Sequence, residues 1–360
     1  MKYSIIIPVY NRPDEVSELL ESLCHQEETK NATLEVIIVE DGSAIPCKEV
    51  ADRYAARLDL HYYIKENGGP GPARNYGVER ATGDYVIILD SDVVLPAGYL
   101  RAVDAALTSH TCDSFGGPDA AHESFTATQK AINYAMTSFF TTGGIRGGKR
   151  QLEKKFFPRS FNMGVRREVY NALGGFSKMR FGEDVDFSYR LVEAGYTSAL
   201  IPEAWVWHKR RANFRQFFKQ VHNSGIARIN LSKRHPGTLK LVHMLPAVFT
   251  LGVLACLLLL LVGHSLWYIP ESKVSADIYE RLGMFGFQLQ VLGLGPILLY
   301  ALLIFADSST VNHSCKVGLL SVPAAFIQLI GYGTGFLRSW WQRCVLGRGE
   351  FEAFKKNFYK

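Results

Sequence analysis

Three long stretches of this 360-residue chain contain no Asp, Glu, Lys or Arg: residues 241–270, 282–306 and 317–337. Each is long enough to cross a bilayer, which takes about 20 apolar residues. A channel or transporter is a poor fit, because ion pathways carry intramembrane charge and these runs have none. Acids are missing from a fourth stretch, 204–240, which holds nine bases, whereas residues 1–203 hold 22 bases against 28 acids. The formal charge of +6 therefore reflects the membrane-proximal part. A basic block directly before an apolar run follows the positive-inside pattern and puts the N-terminal half in the cytoplasm. The same bases suit anionic head groups. No nucleic-acid-binding motif accompanies them, so nucleic acid is not an expected partner. The six cysteines are scattered without a close pair, which argues against a zinc site and suits reduced thiols. A signal-peptide pattern is also missing, since a strand pattern follows Lys2 at once.

What is present begins with alternation. "YSIIIPVYN" (3–11) reads as a buried strand stopped by Pro8, and "PDEVSELLESLCHQ" (13–26) as a helix opened by Pro13 and Asp14. "LEVIIVEDGS", "LHYYIKE" and "DYVIILDSD" add strands, with helices at "CKEVADRYAARL" and "GPARNYGVERAT" between them. Such alternation predicts a doubly wound, mostly parallel α/β sheet. The fourth strand ends on Asp90 and Asp92, one residue apart. Ligands of open α/β sheets bind at the carboxyl ends of strands, and two acids there can hold a hard divalent cation. An isolated D-x-D is more often a turn cap. Beyond it, 110–159 is polar and glycine-rich, includes "TTGGIRGGKR", and reads as a mobile loop or lid.

Six ordered blocks, "SIIIPVYNRPDEV", "VEDGS", "GGPGPARNYGV", "DYVIILDSDV", "FNMGVRREVYNALGGF" and "GEDVDFSYRLVEAGY", together resemble glycosyltransferase family 2, over about residues 3–208. The resemblance implies a GT-A fold, a UDP- or GDP-sugar donor, Mn2+ or Mg2+, and inversion at the anomeric carbon. Carried over, it places Pro8, Tyr10, Asn11, Gly68, Arg74 and Ser91 at the donor, Arg74 contacting the diphosphate, and Asp41 accepting a hydrogen bond from the nucleobase. Asp90 and Asp92 become metal ligands, Asp92 the more direct one. His208 is a third ligand, and its nitrogen favours manganese over magnesium. Asp184 becomes the base that takes a proton from the attacking hydroxyl, with Glu183, Asn162 and Gly164 on the acceptor side. The Q-x-x-R-W signature of processive synthases is absent, so a single transfer is expected.

These readings divide the chain into a catalytic domain (1–208), a basic amphipathic interfacial segment (209–240), a membrane domain of two or three apolar segments (241–263, 283–306, 317–337) and a basic tail (338–360). The expected protein is a multi-pass inner-membrane glycosyltransferase of bacterial type with a cytoplasmic catalytic domain. Its acceptor is a hydroxyl of a lipid-linked or membrane-proximal glycan in polysaccharide assembly. A polyprenyl-phosphate glycosyl synthase and a non-catalytic scaffold are the alternatives. Three crossings would put 339–360 outside, against its bases, so the sequence leaves two crossings and three both open.

Overall fold

A computed structural model describes residues 1–29, 32–122, 124–143 and 156–350. The strands are β1 (Lys2–Val9), β2 (Thr33–Asp41), β3 (Leu60–Lys65), β4 (Tyr85–Leu89), β5 (Val93–Val94), β6 (Ser114–Gly116), β7 (Asp119–Ala120), β8 (Asn162–Arg166), β9 (Ser198–Leu200) and β10 (Val206–His208). The helices are α1 (Pro13–Cys24), α2 (Lys48–Tyr54), α3 (Pro70–Val78), α4 (Tyr99–Ser109), α5 (Ala127–Thr137), α6 (Phe139–Thr142), α7 (Arg167–Ala172), α8 (Glu183–Glu193), α9 (Phe214–Arg234), α10 (Leu245–Leu266), α11 (Ala276–Val311) and α12 (Cys315–Trp340).

The central sheet runs β3-β2-β1-β4-β8-β6-β9. Its first four strands are parallel, as alternation predicted. β1 and β4 are continuous apolar runs because both faces of the sheet are covered. Tyr3, Ile5 and Ile7 face α1 and α4 in one core, and Ile6, Val86 and Ile88 face α3, α7 and α8 in the other. β8 enters antiparallel between β4 and β6. A second, three-stranded sheet, β5-β10-β7, stands at the end of β4.

The region expected to be a loop is partly ordered. Residues 110–143 contain β6, β7, α6 and α5, the last opened by a capping box in which Thr126 and Gln129 each bond the other's backbone. Residues 144–155, the heart of the expected lid, lie outside the described residues, as does 351–360 of the basic tail.

Among the described residues three helices are long and apolar enough to cross a membrane: α10, α11, and α12 together with its continuation to Val345. α11 extends well beyond the expected 283–306 and contains Pro296. Half of the apolar window of α12 is buried within the protein, against about a tenth for α10 and α11. The helix α9, expected as an interfacial amphipath, turns Phe217 and Val221 into α5 and α12. Phe218 on the same helix is 40% exposed. The partner of its apolar side is therefore largely another helix.

Candidate active site

The site forms where β1, β2 and β4 end. Asp90 and Asp92 follow β4, and the small sheet brings His208 to them: in the antiparallel pair of β10 with β5, His208 sits opposite Val93. Lys209 N–H closes the pair by donating to the Asp92 carbonyl at 3.0 Å. One ligand atom each from Asp90, Asp92 and His208 lies within 4.8 Å of the others. His208 Nε2 is 3.3 Å from Asp92 Oδ1, and its ring stacks on Phe161. The sequence-predicted metal set is thus brought together.

Asp92 is buried yet faces three cations. Arg12 donates to its Oδ2 at 2.9 Å, Arg211 Nη1 stands 3.4 Å from the same oxygen, and His208 covers the other. Burial opposes ionisation of Asp92, but His208 and the two arginines outweigh it and hold its carboxyl well below the usual carboxylate range. Behind His208, Asp119 Oδ2 lies 3.8 Å from Nδ1 and 2.6 Å from buried Arg210, whose Nε donates to Asn133 on α5. Burial lowers the His208 pKa, and the two acids around it more than reverse that, raising it to about 9.

Across the site, Gly182 takes a positive φ of 82° and α8 begins with Glu183 and Asp184. Arg74 connects the two sides. It is 3% exposed and donates to Glu183 Oε1 at 2.9 Å and to Asp90 Oδ1 at 2.8 Å. Both ends of the guanidinium fork are engaged, so in this structure Arg74 braces two carboxylates. Asp184 accepts from Arg159 Nε at 2.9 Å. Burial raises Glu183, with Arg74 offsetting it only in part, whereas Asp184, equally opposed by burial, is held low by Arg159 and Arg74.

Asp41, expected to accept a hydrogen bond from the nucleobase, is held by the protein's own donors. Its Oδ1 accepts from Lys65 Nζ at 2.7 Å and Gly68 N–H at 2.9 Å, and its Oδ2 from Gly69 N–H at 2.8 Å and Asn67 Nδ2 at 3.3 Å. A carboxylate has about four acceptor positions, and in this structure the protein's own donors occupy them. Asp41 instead anchors the loop that opens α3, where Gly69 needs a φ of 92°. Asn11, itself at a positive φ of 55°, accepts from the Ala44 and Ile45 N–H groups and so pins the turn after β2. Pro8 pairs with Val39 inside the sheet, with Tyr10 just past its end; Ser91 is buried between the two acids.

Two expected acceptor-side residues are interior. Asn162 is 1% exposed, accepts from Tyr99 and donates to the Ala204 carbonyl. A Cβ at Gly164 would stand 2.0 Å from the Phe115 ring, so that glycine is required by packing. Asp186, which shares the acidic first turn, pairs with Arg190 one turn on in the same helix and ties α8 to His235 at the end of α9. The residues missed from the sequence are Arg12, Asp119, Arg159, Arg210 and Arg211. Arg210 and Arg211 stand in the sequence within "KRR" at 209–211, where composition alone marks them as membrane-proximal charge.

A mostly parallel sheet, an acid pair at the end of its central strand and an acidic helix start facing it make up the GT-A fold. The comparisons agree. Residues 4–174 match glycosyl transferase family 2, and that stretch is a domain of this family. The pre-mycofactocin glycosyltransferase of Mycobacterium tuberculosis is 30% identical over 284 residues, covering 78% of this chain and 57% of that protein. Glycosyltransferase AglE of Haloferax volcanii is 27% identical over 231 residues, covering 63% of this chain and 73% of that protein. Among solved structures, the mannosyltransferase PcManGT from Pyrobaculum calidifontis, in complex with GDP-Man and Mn2+, aligns with a TM-score of 0.54 at 15% identity, over 95% of this chain and 87% of that one. At that identity the likeness concerns the fold.

Proposed function

We propose that this chain moves one sugar, with inversion, from a nucleotide diphosphate sugar to a hydroxyl of a lipid-linked or membrane-proximal acceptor, at the cytoplasmic face of a membrane. The observation that carries the proposal is the convergence of Asp90, Asp92 and His208 at the end of β4, joined through Arg74 to the start of α8. Two carboxylates and an imidazole form an oxygen and nitrogen donor set that suits Mn2+ better than Mg2+. A divalent cation there would neutralise charge on the departing diphosphate.

The remaining work falls to the protein. Arg12 and Arg211 stand beside Asp92 with about a third of each side chain exposed, so they can turn toward a diphosphate in a way that buried Arg74 cannot. Asp184, held ionised by Arg159, accepts the proton of the attacking hydroxyl as the bond to the sugar forms and the bond to the diphosphate breaks. Arg74 keeps Asp90 and the α8 start at fixed separation, which sets the distance between donor and base.

The test is transfer by detergent-purified protein from labelled UDP- and GDP-sugars, with Mn2+, Mg2+ or chelator, and membrane lipid extract as acceptor. Metal-dependent release of one nucleotide with label in the lipid fraction is expected. Asp184→Asn decides the acceptor. A hydroxyl acceptor loses about 10²–10⁴ in turnover, whereas a polyprenyl phosphate, already an anion, retains it. Absence of nucleotide binding with every metal would point instead to a non-catalytic scaffold.

A further inference from the structure

The three apolar helices do not have three equivalent relations to the rest of the molecule. α10 and α11 form a tight antiparallel hairpin. A Cβ on Gly263 would stand 2.6 Å from the Gly286 carbonyl, one on Gly293 the same distance from the Cys256 carbonyl, and Phe249 packs on Tyr300. These pairs fix the hairpin register, so residues 246–250 lie level with about 299–303. α12 meets α11 at its Gly318, against Phe305 and Ser309, and meets α10 at its Gly333, against Pro246 and Thr250. Fifteen residues of helix separate those two contacts, about 22 Å at 1.5 Å per residue. Along the hairpin axis the same contacts differ by only about six residues, or roughly 9 Å. On these two contacts α12 runs oblique to the hairpin axis rather than alongside it over its whole length.

The two sides of α12 match that attitude. One side is closed by α9: a Cβ on Gly335 would stand 2.0 Å from the His222 carbonyl, and one on Gly225 of α9 2.1 Å from the Tyr332 carbonyl. The opposite side carries Leu319, 67% exposed, and the exposed Pro323, with half-buried Ile330 further along, while Phe326 packs on Phe249 and Tyr300 of the hairpin. Trp340 and Trp341 follow at the end, both largely exposed, as tryptophans at a membrane–water boundary are. Past them the chain returns to the catalytic side, where Glu350 accepts from Arg234 of α9 in a two-pronged pair at 2.8 and 2.9 Å. Arg234 itself lies 3.9 Å from Asp186 of α8.

We propose that the membrane domain has two crossings, α10 and α11, and that α12 lies in the interface on the catalytic side, its exposed Leu319 and Pro323 in the lipid and its other face bolted to α9. This deepens the membrane placement in the proposed function and does not depend on the chemistry at Asp90, Asp92 and Asp184. A residue held to Arg234 cannot stand on the far side of the bilayer, so an odd number of crossings between 245 and 350 is inconsistent with the pair. The arrangement also explains the basic residues after Trp341, which stay with the anionic inner leaflet.

The experiment uses full-length protein with its native cysteines changed to serine, reconstituted in sealed vesicles and labelled with a membrane-impermeant maleimide. Ser109→Cys on α4 and Gly349→Cys should label from the same side, and Ser272→Cys, between α10 and α11, from the other. If Gly349→Cys labels with Ser272→Cys, the proposal is overturned. If all three label from one side, α10 and α11 do not span, and the membrane reading itself fails. Spin labels at Leu319→Cys, Ile330→Cys and Leu337→Cys give the attitude of α12. Similar shallow oxygen-to-nickel accessibility ratios are expected, and a maximum at Ile330 with minima on both sides would mean a spanning helix.

Discussion

Replacing Arg74 by Met should destabilise the catalytic domain, and the size of the effect follows from what surrounds the guanidinium. The arginine is 3% exposed and joins Glu183, whose side chain is 10% exposed, to Asp90, whose side chain is 30% exposed. Removing one partner of a buried ion pair costs about 3–5 kcal/mol, chiefly through the charge left behind. Asp90 can be rehydrated and Glu183 cannot, so the cost belongs near the lower end, about 3 kcal/mol. For a domain of this size each kcal/mol moves Tm by about 2–4 °C, giving a fall of roughly 6–12 °C. Thermal unfolding of the detergent-purified protein by near-ultraviolet circular dichroism measures it.

The dependence on pH identifies the group responsible. Burial already raises the Glu183 pKa, and Arg74 is its largest favourable partner, so the Met variant raises it further. A carboxyl whose folded pKa exceeds its unfolded value binds protons more tightly when folded, and stability is lost as pH rises through that window. The deficit of the variant should therefore shrink as pH falls from 8 towards 5. Arg74→Lys, which keeps the charge but cannot fork to both acids, should fall between. A Tm for the Met variant within about 2 °C of the parent at neutral pH would refute the bridge. A deficit independent of pH would refute Glu183 as the stranded group.

Arg159→Met removes the largest favourable influence on ionised Asp184. The folded pKa of Asp184 is depressed, so its ionised form is lost only as pH falls; without Arg159 the acid limb of the kcat/KM profile should move to higher pH, and an unmoved limb would remove Asp184 or its bridge from the mechanism. His208→Ala should weaken Mn2+ binding at least about tenfold, the least cost seen even for residues that only support a ligand; electron paramagnetic titration of free Mn2+ reads this without turnover, and unchanged binding would take His208 out of the site. Gly225→Ala puts a methyl group 2.1 Å from a backbone carbonyl of α12, where overpacking costs about 1–3 kcal/mol or more. Its Tm should drop, while Gly283→Ala, with open space around it, should leave Tm unchanged; equal values would mean that α9 and α12 do not cross closely.

The parallel half of the sheet was legible because buried strands such as "YVIIL" declare themselves by continuous apolar runs. The acidic ends at Asp90, Asp92 and Asp184 were legible through ordered motifs. The rest of the site hangs on two- and three-residue strands, β5, β7 and β10, too short for any periodicity to show. Without the register of His208 opposite Val93, a histidine 116 positions from Asp92 can be placed only by likeness. Charge misled for a related reason. Composition says how many bases lie between 204 and 240, and nothing about which anion each one meets.

In space those nine bases divide. Arg210 and Arg211 meet Asp119 and Asp92, Lys209 meets Glu18, and Arg234 meets Glu350 and Asp186. Four of the nine are therefore neutralised within the protein and are not free for head groups, so the electrostatic pull of this segment toward an anionic surface is smaller than its composition implies, at about 1 kcal/mol per base lost. What the pairs gain is mechanical. Arg210 joins the site to α5, α5 and α9 bury their apolar sides against α12, and α12 rests on the hairpin. A displacement of the membrane helices thus has a continuous packed route to His208, through groups that sequence-level charge counting assigns to the lipid.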